Sequence, residues 1–138
     1  MNRTLVICKP DAVERGLTGE IIARLERKGL RLVAAELRHL DRETAARHYA
    51  EHVGKGFYED LLAFITRSAV MLMVVEGLED TWQIVRLLMG ATNPALADPG
   101  TIRGDLAIET TENLVHGSDS AESAAREISM FFPSLAPA

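Results

Sequence analysis

One segment of this chain, Asn113-Leu114-Val115-His116-Gly117-Ser118-Asp119-Ser120, has the residue types and spacing to carry a chemical step. Its apolar residues read as the end of a short strand, and the polar run after His116 reads as the start of a helix. Asp119 is suited to cap that helix, with Glu122 three residues on to complete a capping box. A helix N-terminus presents unpaired N–H groups and positive partial charge, which suits an anion. An uncharged imidazole beside it is a nucleophile near neutral pH, with a phosphoryl group as its target. On the segment alone, a loop histidine before an ordinary capped helix is an equally good reading.

A site that moves a phosphoryl group must surround it with cations or oriented N–H groups. The sequence has no G-x-x-x-x-G-K-[ST] loop, and Gly54-Lys55-Gly56 is too short to replace one. The kinase signatures H-R-D and D-F-G are missing as well. Side chains must therefore hold the phosphates. The candidates are Lys9 at the end of the first strand, Arg86 in a helix, and Arg103 in a long loop, with Thr92 and Asn113 adding hydrogen bonds. Taken singly, each is as readily a solvated surface residue, but strand-end and loop positions are where ligands of α/β folds bind. A rival motif is His48-Tyr49-Ala50-Glu51-His52, which fits H-x-x-E-H and on a helix would put two histidines on one face at metal-ligand spacing. The plainer reading of that stretch is a polar helix face with Tyr49 turned inward.

The elements that must position these residues follow from periodicity and punctuation. Residues 3–9 form a β-rich strand that ends in a turn at Lys9-Pro10-Asp11. Thr18 caps a helix through Lys28, with Ile21, Ile22 and Leu25 on its apolar face and Gly29 as its stop. Residues 30–40 are a second strand without clean alternation. Asp41 caps a helix to His52, the glycines of Gly54-Lys55-Gly56 break it, and residues 57–66 resume a helical pattern through Leu61, Leu62 and Ile65. Residues 69–75 are all apolar, the mark of a strand covered on both faces. Asp80 with Gln83 opens a helix through Met89, stopped by Gly90. Residues 91–112 form a turn-rich loop long enough to be functional. A strand at 114–116 then feeds the Asp119 helix, which ends near Phe132-Pro133. The order β, α, β, α(α), β, α, β, α suits an α/β sandwich with a ferredoxin-like βαββαβ core, a four-stranded antiparallel sheet with helices packed on it.

At 138 residues with 47% apolar content, the chain is one domain, residues 1–138, with enough material for a core. A net charge of −5 argues against a dedicated nucleic-acid binder, so phosphates must be met by locally placed cations. The single cysteine, Cys8, excludes an intramolecular disulfide and reads as a small core residue. The apolar run before Lys9 is too short for a signal-peptide core, and no segment approaches the roughly 20 apolar residues of a membrane helix. A cytoplasmic setting is expected.

Taken together, the motifs resemble the nucleoside diphosphate kinase family over residues 3–133. The likeness rests on Lys9-Pro10-Asp11-Ala12-Val13, Arg15-Gly16-Leu17 with Gly19-Glu20-Ile21-Ile22, His48-Tyr49, Phe57-Tyr58, Glu76-Gly77, and Met89-Gly90-Ala91-Thr92-Asn93-Pro94. It is densest in Pro99-Gly100-Thr101-Ile102-Arg103-Gly104-Asp105 and in the His116 segment. The resemblance implies transfer of the γ-phosphate of ATP or another nucleoside triphosphate to a nucleoside diphosphate, by a ping-pong route through a phosphohistidine. It implies Mg²⁺ carried on the nucleotide phosphates. By position, His116 matches the nucleophile, Glu127 the glutamate on its other ring nitrogen, Ser118 the serine that contacts this glutamate, and Tyr49 a tyrosine beside the transferred phosphate. Lys9, Arg86, Thr92 and Arg103 match phosphate contacts, and Asn113 with Lys9 matches ribose contacts. Phe57 matches the aromatic that stacks on the base, Leu61 its apolar neighbour, and Thr110 a position lining the base site where valine is common.

Other departures are Glu112 for a common arginine, Ser68-Ala69 for Gly-Pro, and Phe131 for tryptophan. Glu112 either weakens nucleotide binding through added negative charge near Asn113 or points into water. The resemblance also implies a homo-oligomer, hexamer or tetramer, and disfavours the zinc reading of H-x-x-E-H. A nucleotide-binding or regulatory domain with minor activity is the alternative.

Overall fold

The computed structural model describes residues 2–136. Four strands, β1 (Asn2–Cys8), β2 (Arg31–Arg38), β3 (Val70–Gly77) and β4 (Val115–Gly117), form one sheet in the order β2-β3-β1-β4. Every neighbouring pair is antiparallel. The helices are α1 (Pro10–Glu14), α2 (Thr18–Arg27), α3 (Arg42–His48), α4 (Tyr58–Ile65), α5 (Thr81–Met89), α6 (Ile102–Leu106) and α7 (Ala121–Phe131). This is the expected ferredoxin-like plan, except that β2 and β3 are joined by α3 and α4 rather than by a hairpin. Among the described residues, no helix is long and apolar enough to cross a membrane.

Strand alternation divides the core in two. Val6 and Cys8 of β1 and Met73 and Val75 of β3 face α2 and α5, where Ile21, Leu25, Val85 and Met89 pack on them. Leu5 and Ile7 of β1 and Leu72 and Val74 of β3 face the other way, against Ala45, Leu62, Ile65, Ile128 and Phe131. The apolar run at 69–75 is thus covered on both faces, as its composition requires. Cys8 is fully buried in this core.

Several helix boundaries differ from the sequence reading. Lys9-Pro10-Asp11 starts α1 instead of a turn, because Pro10 occupies the first helical position, where its fixed φ and missing N–H are harmless. Asp41 caps α3 as expected, its Oδ1 accepting from Thr44 N at 2.7 Å. Thr18 lies inside α2, and its helix has no side-chain cap. Asp80 adopts a left-handed conformation (φ 49°) and makes no cap hydrogen bond; Thr81 N donates instead to Asn2 Oδ1. Asp119 does not cap α7, since Ser120 Oγ takes the Ser123 N–H at 3.0 Å. The helix expected to reach His52 ends at His48, and Ala50–His52 is a separate 3-10 turn.

The long loop after Gly90 carries more order than its glycines and prolines suggest. Asn93 caps a 3-10 turn at Pro94–Leu96, and Thr101 Oγ1 accepts from Gly104 N to cap α6. Gly104 packs so closely on residue 98 that an added Cβ would stand 2.6 Å from the Asp98 carbonyl carbon. Gly104→Ala should therefore force the loop apart and destabilise the fold by roughly 1–3 kcal/mol, read as a lower denaturation midpoint; an unchanged midpoint would show the loop to be pliable.

Candidate active site

The site is organised by β4, a strand of only three residues. Ile7 of β1 stands opposite His116 in the ladder, and paired residues share a face, so His116 is turned toward α7 and α3 along with Ile7. The chain enters β4 through Leu114, a fully buried residue with a φ of 75°, a costly conformation for a branched side chain. Two contacts hold it there. Asp11 Oδ2 accepts the Leu114 N–H at 3.1 Å, and Lys9 N donates to the Leu114 carbonyl at 2.8 Å. Asp11 is 2% exposed, and sequence reading assigned it no role. Its signal was the carboxylate immediately after Lys9-Pro10, at the start of a helix.

His116 Nε2 lies 2.9 Å from Glu127 Oε1, and Ser118 Oγ donates to the same oxygen at 2.7 Å. Burial on α7 would raise the Glu127 carboxyl, but the hydrogen bond and charge of His116, with the Ser118 hydroxyl, outweigh it and hold it down at about 2. The carboxylate accepts only, so Nε2 carries the proton and neutral His116 presents its lone pair at Nδ1. Tyr49, Arg86, Glu51, His52, Gly117, Asp119 and His48 complete a cleft of about 180 Å³ around these groups. Burial, and then the charge of Glu127, push the Tyr49 phenol up to about 12, so it stays a neutral hydroxyl.

The cations sit beside this cleft. Arg86 Nη1 donates to the Gly117 carbonyl at 3.0 Å, next to His116. Lys9 Nζ donates to Asn113 Oδ1 at 2.9 Å, and Asn113 Nδ2 donates to the Thr92 carbonyl at 3.1 Å. Burial, then the neighbouring Arg103, lower Lys9 to about 8. Arg103 is 4% exposed and acts as a clamp: Nε, Nη1 and Nη2 donate to the carbonyls of Asn113, Gly90 and Val115 at 3.2, 3.0 and 2.7 Å. Burial and Arg86 bring it down to about 10, still charged at neutral pH. Each terminal nitrogen keeps a second N–H that a ligand can take.

The remaining sequence candidates lie further out. Phe57 is half exposed at the start of α4 and reaches the cleft through His52, whose ring centroid is 5.5 Å away. Leu61 packs at the edge of the core beneath it. Thr110 is exposed on the loop before Asn113, and no hydrogen bond among the described residues ties it to the network. Glu112 pairs at 3.1 Å with Arg67, an arginine it shares with Glu14, so its charge is only partly offset. Phe131 is buried and packs 5.6 Å from the His48 ring.

Two expectations fail on geometry. The α7 N-terminus begins at Ala121, with a serine cap, rather than directly beside His116. The H-x-x-E-H motif does not form one helical face, because the helix ends between its histidines: His52 turns to Lys55 Nζ at 3.1 Å, and His48 turns inward. His48 is 5% exposed and stands edge-on to His116, with ring centroids 4.8 Å apart. Burial above all, then His116, drops its pKa to about 3, so it is neutral. The sequence reading missed this contact by treating the motif as a continuous helix.

The tautomer of His116 is directly checkable. Nitrogen NMR of the ring should report the proton on Nε2 in the native protein and a mixture of tautomers in Glu127→Leu; a native ring protonated at Nδ1 would break the assignment.

Comparison with known proteins agrees with this arrangement. The family model described as nucleoside diphosphate kinase matches residues 2–136. A nucleoside diphosphate kinase of Listeria monocytogenes is 58% identical over 132 residues, covering 96% of this chain and 89% of the relative. That of Thermobifida fusca is 57% identical over 136 residues, covering 99% and 100%. Among solved structures, a nucleoside diphosphate kinase family protein from Babesia bovis superposes with a TM-score of 0.93 at 45% identity, covering 100% of this chain and 93% of that one. The enzyme from Halobacterium salinarum, solved in complex with CDP, gives 0.92 at 49% identity, covering 95% and 87%. A family match over nearly the whole chain, joined to a histidine held by a buried carboxylate among three cations, places this protein in the nucleoside diphosphate kinase family, whose members are phosphotransferases.

Proposed function

We propose that His116 carries the phosphoryl group between nucleotides. Nδ1 attacks the γ-phosphorus of ATP or another nucleoside triphosphate; the Nδ1–P bond forms as the bond from phosphorus to the β,γ-bridging oxygen breaks, and the nucleoside diphosphate leaves. A different diphosphate then enters the same site, and its terminal oxygen takes the phosphoryl group back from nitrogen. The observation that carries this reading is the shared Glu127 oxygen, which accepts from His116 Nε2 and Ser118 and so leaves Nδ1 as the nucleophilic nitrogen. As the ring becomes cationic on phosphorylation, the Glu127 carboxylate stabilises it, as in other histidine–carboxylate pairs.

Lys9, Arg86, Arg103 and Thr92 meet the charge on the phosphate oxygens, and Tyr49 contributes a neutral hydroxyl beside His116. Asn113, held by Lys9, offers its amide to the ribose. Phe57 stacks on the base with Leu61 behind it and Thr110 at the rim; stacking accepts any base because each has a π-face. Mg²⁺ is carried on the nucleotide phosphates, where it offsets their charge. Among the described residues, the group of three or more close metal donors is His48, His116 and Glu127, a nitrogen-rich set unsuited to a hard, oxygen-seeking ion. The protein works in the cytoplasm as a homo-oligomer, a hexamer or tetramer. Support for self-association comes from exposed apolar side chains, Leu37 on edge strand β2 and Leu87 and Leu96 near the long loop.

A single-turnover incubation with [γ-³²P]ATP and Mg²⁺, chased with GDP or CDP, tests the reading. Acid-labile label that moves to the added diphosphate is the expected result; bound nucleotide with no label would instead mark a nucleotide-binding domain of minor activity. His116→Ala should lose turnover by at least about 10⁴-fold while keeping the fold, and Glu127→Gln roughly 10²-fold. In the free enzyme Lys9 loses its proton as pH rises through about 8, so kcat/KM should fall above that pH. Lys9→Arg should flatten this alkaline limb, and a limb unchanged in that variant would assign it to another group.

A further inference from the structure

Among the described residues, the buried imidazole of His48 has no partner: neither Nδ1 nor Nε2 makes a hydrogen bond. An unsatisfied buried polar group costs roughly 1–3 kcal/mol, and an aromatic hydrocarbon would fill the same space against Phe131 without that cost. The ring therefore retains two nitrogens for which the resting molecule has no use. One nitrogen each from His48 and His116 and one oxygen of Glu127 lie within 4.8 Å of one another. Glu127 is ionised, and the nearest cation to its Oε2 is Arg126, at 3.8 Å. The cleft of about 180 Å³ opens on the same residues and leaves room for water.

We propose that His48, His116 and Glu127 form a latent site for a borderline divalent transition ion of the Zn²⁺ class, with water from the cleft as fourth ligand. Two imidazoles and one carboxylate are a donor set suited to Zn²⁺ and poorly suited to Mg²⁺. Tetrahedral Zn²⁺ holds its ligand atoms about 3.4 Å apart, so closure asks for movements of about an ångström, within reach of side-chain rotation. The consequence for His116 is a tautomer change. At Nε2 the metal occupies the electron pair, the ring proton moves to Nδ1, and the imidazole stays neutral. The nitrogen that attacks phosphorus then carries the proton, so the metal silences the nucleophile. This silencing rests on the phosphohistidine reading; the binding itself does not.

The test uses tag-free protein without nucleotide, because nucleotides chelate the metal. Co²⁺, a visible stand-in for Zn²⁺, should give tetrahedral absorption bands that saturate at one ion per chain and disappear on adding Zn²⁺. His48→Phe should weaken binding at least tenfold, and His48→Gln serves the same purpose if the phenylalanine variant folds poorly by circular dichroism. His52→Ala, which removes the other histidine of the motif, should bind as tightly as the native chain. No saturable binding, full affinity in the His48 variants, or loss of affinity in His52→Ala would each overturn the site. With Zn²⁺ in excess over nucleotide and Mg²⁺ present, Zn²⁺ should also block labelling by [γ-³²P]ATP, and a Zn²⁺-selective chelator should restore it; binding without this block would overturn the silencing. A native protein that takes no label even without Zn²⁺ would fail the kinase reading and leave the Co²⁺ spectrum to decide the metal site alone.

Discussion

His116 faces Glu127 because Ile7 faces the α7 side of the sheet, and the two residues are paired across the β1–β4 ladder. A slip of one residue in that ladder would send His116 to the opposite face, among Val6, Cys8 and Met89. Yet β4 is only Val115–Gly117, too short to hold its own register by backbone pairing. The register is secured from outside the ladder. Val115 is anchored in the core, Arg103 grips the Val115 and Asn113 carbonyls, and Asp11 and Lys9 hold both backbone groups of Leu114. The left-handed turn at Leu114 is the point where these restraints converge. The positions of His116 and of Asn113 are thus two results of one set of contacts.

This explains why charged side chains of the site serve the fold as well. Arg103 is nearly fully buried and its guanidinium bridges the Gly90 carbonyl to those of Asn113 and Val115, joining two stretches of the chain. A lysine could not reproduce that planar fork. Burial lowers the pKa of both Lys9 and Arg103, a sign that their charges are held at some cost. In the proposed function an arriving polyphosphate would relieve that cost, drawing binding energy from charges already positioned. A chain with net charge −5 can meet a polyanion in this way without a basic surface.

What could be read from the sequence follows the range of the forces involved. The apolar run at 69–75, the glycine stops at Gly29 and Gly90, and the Asp41 cap are local signals, and each appears where local physics puts it. Some failures are local, as where Ser120 rather than Asp119 caps α7, and others are tertiary. Asp80 is drawn into a left-handed turn whose helix start is served by Asn2, from a distant strand. Order in the loop after Gly90 depends on Thr101, Asp98 and Gly104 fitting together, which composition alone obscures. His116, Lys9, Arg86 and Arg103 stood out by residue type and position, and Glu127 and Ser118 through family resemblance; their hydrogen bonds and the inward turn of His48 required the fold.

The neighbours of His116 share one property that bears on how it works. Tyr49 is held neutral by burial and by Glu127, and His48 is held neutral by burial and by His116. Glu127, at the bottom of the cleft, is held ionised. Immediately at the ring, then, the fixed Glu127 carboxylate stands beside two groups held neutral. In the proposed transfer, charge that develops on the imidazole as phosphorus bonds to Nδ1 would meet a preorganised counter-charge at Nε2. Because the reverse transfer passes through the same charge distribution, the same fixed carboxylate serves both directions. A site that must run forward with one nucleotide and backward with another gains from an environment that does not change between the two.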